Sequence, residues 1–189
     1  MVQFFAGQPA ARLAVIGTIE ILHAKPVALI CSVKCPGNII IQTYDFARVL
    51  RDSGVPVVDG FHSPMERECL RILLRGSQPL IVCPARSLER MRVNQEFRTP
   101  LNQGRLLFLS SFPQHSRRAT AANALYRNQF VCALANHIFV PYASPAGKTF
   151  ELCRDLLLKG KSLYTFPDES NESLLKLGAK PLSSVSEIL

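Results

Sequence analysis

Short apolar runs alternate along most of this chain with longer amphipathic stretches, and that rhythm leaves few folds open. Val27 to Cys31 (VALIC) is unbroken by any polar residue, the pattern of a strand buried on both faces. Thr43 to Ser53 then places Phe46, Ala47, Val49 and Leu50 on one helical face and Arg48, Arg51 and Asp52 on the other, with Gly54 where a helix ends. The same exchange repeats. Strands are predicted at Val55–Val58, Leu80–Cys83, Leu106–Leu109, Ile138–Tyr142 and Leu163–Phe166. Helices are predicted at Pro64–Arg75, Leu88–Leu101, Ala119–Ala135, Gly147–Lys159 and Glu172–Leu177. Strand-helix alternation implies right-handed crossovers and a mostly parallel sheet with helices on both faces, an α/β Rossmann-like three-layer fold. Residues 1–25 stand outside the rhythm and read as a lead-in, with Gly17 to Leu22 packing on the sheet. Residues 26–189 read as one domain with a frayed tail.

The totals narrow the classes. The 189 residues are 48% apolar, enough for one full core and too much for a disordered tail. No apolar run approaches the roughly 20 residues that cross a bilayer, and Met1 to Gly17 lacks the basic start of a signal peptide. A cytoplasmic protein is therefore expected. Cys31, Cys69, Cys83, Cys132 and Cys153 sit in apolar surroundings, as reduced buried thiols do. Cys31 and Cys35 lack the companions a zinc site needs. The formal net charge is +8, and it is unevenly spread. From Arg86 to Arg127 there are eight arginines (86, 90, 92, 98, 105, 117, 118 and 127), no lysine and two glutamates. A solvated surface would account for the charge alone. The exclusive use of arginine favours bidentate contact with phosphate or carboxylate.

In an open parallel sheet, ligands gather beyond the carboxyl ends of the strands, so the loops after each strand carry the candidates. The first is Ser32-Val33-Lys34-Cys35-Pro36-Gly37, where Ser32, Lys34 and the backbone amides suit a phosphate; the spacing is not a dinucleotide fingerprint. The second, Asp59 to Glu66, contains a capping box in Ser63, Pro64 and Glu66, with Gly60, His62 and Ser63 as candidate anion contacts. The third, Ser110 to Arg118, joins hydroxyls, an aromatic and the Arg117-Arg118 pair ahead of a helix bearing Arg127-Asn128, which suits a nucleic-acid backbone. The fourth, Ser144-Pro145-Ala146-Gly147-Lys148-Thr149, is not a P-loop, because Tyr142 stands where its first glycine belongs. Ser144, Gly147, Lys148 and Thr149 read instead as a helix start open to an anion. The loops contain no serine elbow, no His-Glu-x-x-His and no carboxylate pair, so no catalytic residue and no cofactor is assigned.

At these loops the chain resembles the DNA-processing protein A family, in order from about Gly17 to Pro181. The family's Gly-Ser-Arg loop aligns with Cys31-Ser32-Val33-Lys34, its second glycine-rich loop with Gly60 to Glu66, and its Ser-Glu-Phe-Pro with Ser110-Ser111-Phe112-Pro113. Its Arg-Asn-Arg helix aligns with Arg127-Asn128-Gln129 and Ala133-Leu134-Ala135. Its later serine-glycine loop aligns with Ser144 to Thr149, and its Val-Phe-Ala-Val-Pro with Leu163 to Pro167. The resemblance implies a Rossmann-like domain that holds single-stranded DNA in a basic pocket, dimerises, and helps load a RecA-type recombinase during natural transformation. By position it makes Ser32, Lys34, Arg127 and Asn128 phosphate binders; Arg117 and Arg118 rest on the charge pattern. The expected signature is that Arg127→Ala weakens oligonucleotide binding with little loss of stability. Two other readings stay open. One is a module holding a nucleotide or nucleotide sugar. The other is an enzyme similar to the LOG phosphoribohydrolases, although Pro145-Ala146-Gly147-Lys148-Thr149-Phe150-Glu151 is shorter than their motif and lacks two of its glycines.

Overall fold

The computed structural model describes residues 13–188. In chain order the elements are β1 (Ala14–Gly17), β2 (Val27–Leu29), α1 (Gly37–Ser53), β3 (Val57–Asp59), α2 (Pro64–Leu73), β4 (Leu80–Val82) and α3 (Gln95–Asn102). There follow β5 (Leu106–Ser110), α4 (Ala121–Leu134), β6 (His137–Phe139), α5 (Lys148–Leu158), β7 (Ser162–Thr165), α6 (Glu172–Leu177) and β8 (Lys180–Pro181). The strands form one sheet in the order β1-β5-β4-β3-β2-β6-β7-β8, parallel throughout except for β1, which pairs antiparallel with β5.

Successive strand residues point to opposite faces, and this builds two cores. Val27 and Leu29 face a layer containing Ile39, Ala47 and Leu50 of α1 and Met65, Cys69 and Leu73 of α2. Ala28 and Ile30 face Phe130 and Val131 of α4, Leu152 and Leu156 of α5, and Leu174 of α6. Both faces are covered, which explains why the central strands read as continuous apolar runs. Cys31, Cys69, Cys83, Cys132 and Cys153 are buried and free, as their surroundings suggested, and Cys35 is half-buried. Burial pushes the Cys69, Cys83, Cys132 and Cys153 thiols upward in pKa, Cys153 to about 12, so they are poor nucleophiles. No helix among the described residues is long and apolar enough to cross a membrane.

Several sequence-based boundaries move. Helix α1 begins at Gly37 rather than Thr43, because Pro36 takes the extended N-cap conformation and Ile40 donates back to its carbonyl. Helix α3 begins at Gln95 rather than Leu88; the preceding residues form an irregular segment in which Leu88 is buried and Arg90 has φ 54°. The lead-in contributes a strand. Ala14 to Gly17 pairs with β5, and Ile19–His23 forms a 3-10 turn. Residues 1–12 of that lead-in lie outside the described residues. Gly17 is required where β1 ends: its φ is +107°, and a Cβ there would overlap the Leu106 carbonyl oxygen. The tail is not frayed. It adds β8 beside β7 and buries Leu182, Val185 and Ile188 in the core on the α1 side.

Candidate functional site

The chain moves one way across the sheet from β2 through β3 and β4 to β5, and the other way from β6 through β7 to β8. The order therefore reverses between β2 and β6, and the loops after these strands part at the place where α/β sheets hold ligands. Below the opening the two loops are tied together. The Ser32 amide donates to the Tyr142 carbonyl at 3.0 Å, and the Ser32 hydroxyl accepts from the Ser144 amide at 3.0 Å. Helices α1 and α5 start from these loops, with Pro36 and Gly147 as N-caps, and neither has a side-chain cap. By contrast, α2 and α4 are capped by Ser63 and Thr120. Lys34 and Lys148 are exposed beside these two uncapped helix starts, where backbone amides point outward.

The next loop is fixed from beneath by one carboxylate. Glu66 is 3% exposed. Its Oε1 accepts from the Cys31 amide at 2.9 Å, and its Oε2 accepts from the His62 and Ser63 amides at 2.9 and 2.8 Å. The Ser63 hydroxyl accepts in return from the Glu66 amide, so the capping box expected from sequence is present. Its reach to Cys31, which locks the loops after β2 and β3 into one unit, was not legible. Phe61 between them sits in the left-handed region at φ 49°, held by its amide donating to Asp59 Oδ2 at 3.0 Å.

Arg127 departs most from expectation. It is 3% exposed: it lies under Gly60, where any Cβ would overlap its guanidinium. Its Nη1 donates to the Cys83 carbonyl at 3.2 Å and its Nε to Asn128 Oδ1 at 2.7 Å. The loops after β3 and β4 and helix α4 therefore meet at one buried guanidinium. Its removal has a structural cost, which corrects the expectation that Arg127→Ala leaves stability nearly intact. Asp59 beside it is fully buried, with Oδ1 lacking a hydrogen-bond partner. Desolvation, helped by the negative charge of Glu66, raises its carboxyl well above the usual range against the opposing pull of Arg127.

The direction of that shift makes a prediction. A carboxyl whose pKa is higher in the fold than in the unfolded chain favours the fold fully below about pH 4. The contribution is lost as pH rises through the folded value. Asp59→Asn removes the titration, so between about pH 5 and about pH 8 the variant's Tm should fall less than the parent's. Equal falls would show that Asp59 does not titrate in this window.

The loops after β4 and β5 are also joined. The Ser110 hydroxyl donates to the Arg86 carbonyl at 2.8 Å, and the Ser87 amide donates to the Ser116 carbonyl at 2.8 Å. Asn123 on α4 donates to the Ser116 hydroxyl and the Arg118 carbonyl, each at 3.2 Å. Phe112 packs edge-on against Tyr126 with ring centroids 5.5 Å apart.

The expected site residues thus divide in two. Lys34, His62, Arg117, Arg118 and Lys148 are exposed along the carboxyl edge, and Gly60, Asn128, Ser144, Gly147 and Thr149 are half-buried within it. Ser32, Ser63, Ser110 and Arg127 are buried, with their polar atoms engaged inside the protein; they hold the edge together rather than line its surface. Sequence reasoning missed Asp59 and the long reach of Glu66. It counted Arg86 only as charge, although Arg86 stands exposed at the end of β4.

Solved structures share this fold. DNA processing protein A from Streptococcus pneumoniae superposes with a TM-score of 0.76 at 16% identity, over 93% of this chain and 64% of that one, so this chain spans under two thirds of its length. A second structure, described as showing the single-stranded DNA binding mode of DNA processing protein A from Helicobacter pylori, also gives 0.76, at 20% identity, over 96% and 86%. The molybdenum cofactor carrier protein of Chlamydomonas reinhardtii is more distant, at 0.53 and 10% identity over 86% and 92%. At these identities the likeness is one of fold. No curated protein matches the sequence. The family model described as DNA recombination-mediator protein A matches residues 5–189, and the chain belongs to that family.

Proposed function

We propose that this protein binds single-stranded DNA along the carboxyl edge of its sheet, as a non-enzymatic DNA-processing protein acting in recombination or DNA uptake. The observation that carries the reading is the sorting of charge at that edge. Lys34, Arg86, Arg117, Arg118 and Lys148 are exposed in the loops after β2, β4, β5 and β6, whereas Asp59 and Glu66 are buried beneath them. Cations in these loops suit a phosphate backbone; the same edge also carries acidic residues, with Glu89 exposed after β4 and Asp168 and Glu169 after β7, where Asp168 accepts from Asn38 and Gln42 of α1. The half-buried Phe112 beside Tyr126 supplies an aromatic surface of the kind on which bases stack. The Helicobacter pylori relative, described as binding single-stranded DNA, supports the same ligand class.

The test is fluorescence anisotropy with a labelled oligonucleotide of about 12 nucleotides. Lys34→Ala and Lys148→Ala should each weaken binding several-fold, and the pair together by roughly tenfold or more. Lys176→Ala, whose ammonium is engaged with Glu172 on α6, should leave it unchanged. Equal behaviour of all three variants would remove the crevice from the interface.

A further inference from the structure

All six cysteines are free, and Cys35 is the one that is not fully buried. It follows Cys31 by four residues on the loop after β2, where the chain bends at Val33 and Lys34 before α1 begins. Cys31 lies in the core layer on the α1 side, and Cys35 packs against the same layer. A disulfide requires Cα atoms about 4.4–6.8 Å apart, a span that a segment bent at its middle reaches and an extended one does not. The Cys31 end of the segment is anchored. Its amide donates to Glu66 Oε1, and Ser32 is tied to the backbone of Tyr142 and Ser144. Movement on bridging therefore falls on Val33, Lys34 and Cys35.

The two thiols differ in chemistry. Cys35 immediately precedes Pro36, the N-cap of α1, and the first turn of that helix carries neither a side-chain cap nor an acidic residue. Free amides at a helix start and the adjacent exposed Lys34 both favour a thiolate there. The Cys31 side chain lowers the Cys35 pKa against the opposing effect of burial. Cys31 itself is pushed up, first by Cys35 and then by its own burial. One thiol is thus accessible and activated, and the other is sheltered and protonated beside it.

We propose that Cys35 and Cys31 form a peroxide-responsive dithiol, with Cys35 as the attacking and Cys31 as the resolving thiol. The Cys35 thiolate attacks one oxygen of hydrogen peroxide. The O–O bond breaks, hydroxide leaves and is protonated to water, and the sulfur is oxidised to a sulfenic acid. The Cys31 sulfur then attacks the Cys35 sulfur, the S–O bond breaks, and the departing hydroxide takes the Cys31 proton as a second water. Two thiols and one peroxide yield one disulfide and two waters, and a dithiol reductant reverses the bridge. Because Lys34 lies inside the closed loop, bridging displaces it; this consequence for ligand binding rests on the DNA-binding function proposed above.

The experiment treats the whole reduced chain with hydrogen peroxide and follows it by intact mass and by non-reducing peptide mapping. Trypsin cuts after Lys34, so a Cys31–Cys35 bridge holds two peptides together that dithiothreitol separates. The expected result is this linked pair, preceded by a dimedone adduct on Cys35. Cys31→Ala should leave the Cys35 adduct and remove the bridge, and Cys35→Ser should remove both. A bridge from Cys35 to Cys69, or a Cys35 no more reactive than the buried thiols, would overturn the proposal, and the mapping of the parent needs no variant to fold. Oligonucleotide anisotropy is then read on the reduced and bridged parent, where bridging should weaken binding several-fold, reversibly with dithiothreitol. Equal affinity of the two forms would overturn the displacement of Lys34. No binding by the reduced parent would remove the DNA-binding function and leave the mapped bridge standing.

Discussion

Glu66→Ala should lose roughly 4 kcal/mol or more of folding stability, read as a lower urea midpoint with an unchanged m-value. Three backbone amides from two loops donate to this buried carboxylate. Hydrogen bonds to a charged acceptor contribute about 1.5–3 kcal/mol each, and each orphaned amide adds a desolvation cost. Glu66→Gln keeps the shape but turns an NH2 group toward donors, so it should recover only part of the loss. The effect should also reach DNA binding, because the Cys31 amide fixes the start of the loop that carries Lys34. A loss below about 1 kcal/mol would mean that water can replace the carboxylate at all three amides.

Arg127→Ala should be nearly as damaging, with a loss of about 3–5 kcal/mol. The variant empties the space under Gly60, releases the Cys83 carbonyl and withdraws the cation that pulls the Asp59 pKa down. The Asp59 carboxyl then rises further, so the variant's stability should fall over a window extending to higher pH than the parent's. Adding Asp59→Asn should restore part of the loss, giving a measurable coupling in a double-mutant cycle. Additive single effects would show that the two side chains do not act together.

These two residues also show where sequence reading stops. The strands of the sheet were legible because a strand covered on both faces must be apolar without interruption, as in Val27 to Cys31. Helix ends marked by Gly54 and by the Ser63 capping box were legible because those signals are local. The short β1 and β8 were not, since Ala14–Gly17 and Lys180–Pro181 become strands only through the neighbours they pair with. The start of α3 was obscured because Leu88 is buried from an irregular loop and so mimics a helical core position. At the site, the exposed cations could be proposed from charge and loop position. Arg127 could not be assigned correctly, because its burial depends on Gly60 and Cys83, distant in sequence and brought over it by the sheet order. An arginine in a basic segment looks like a surface ligand until the residue above it is known to lack a side chain.

Whether exposed cations at the carboxyl edge hold a phosphate backbone is decided by a salt titration of oligonucleotide binding. With three to five phosphates engaged by Lys34, Arg86, Arg117, Arg118 and Lys148, log K should fall linearly with log salt at a slope of about −2 to −3.5. Charge-removing substitutions among these five should make the slope shallower in steps. A slope near zero, or one unchanged when these residues are replaced, would mean that these cations do not engage the backbone.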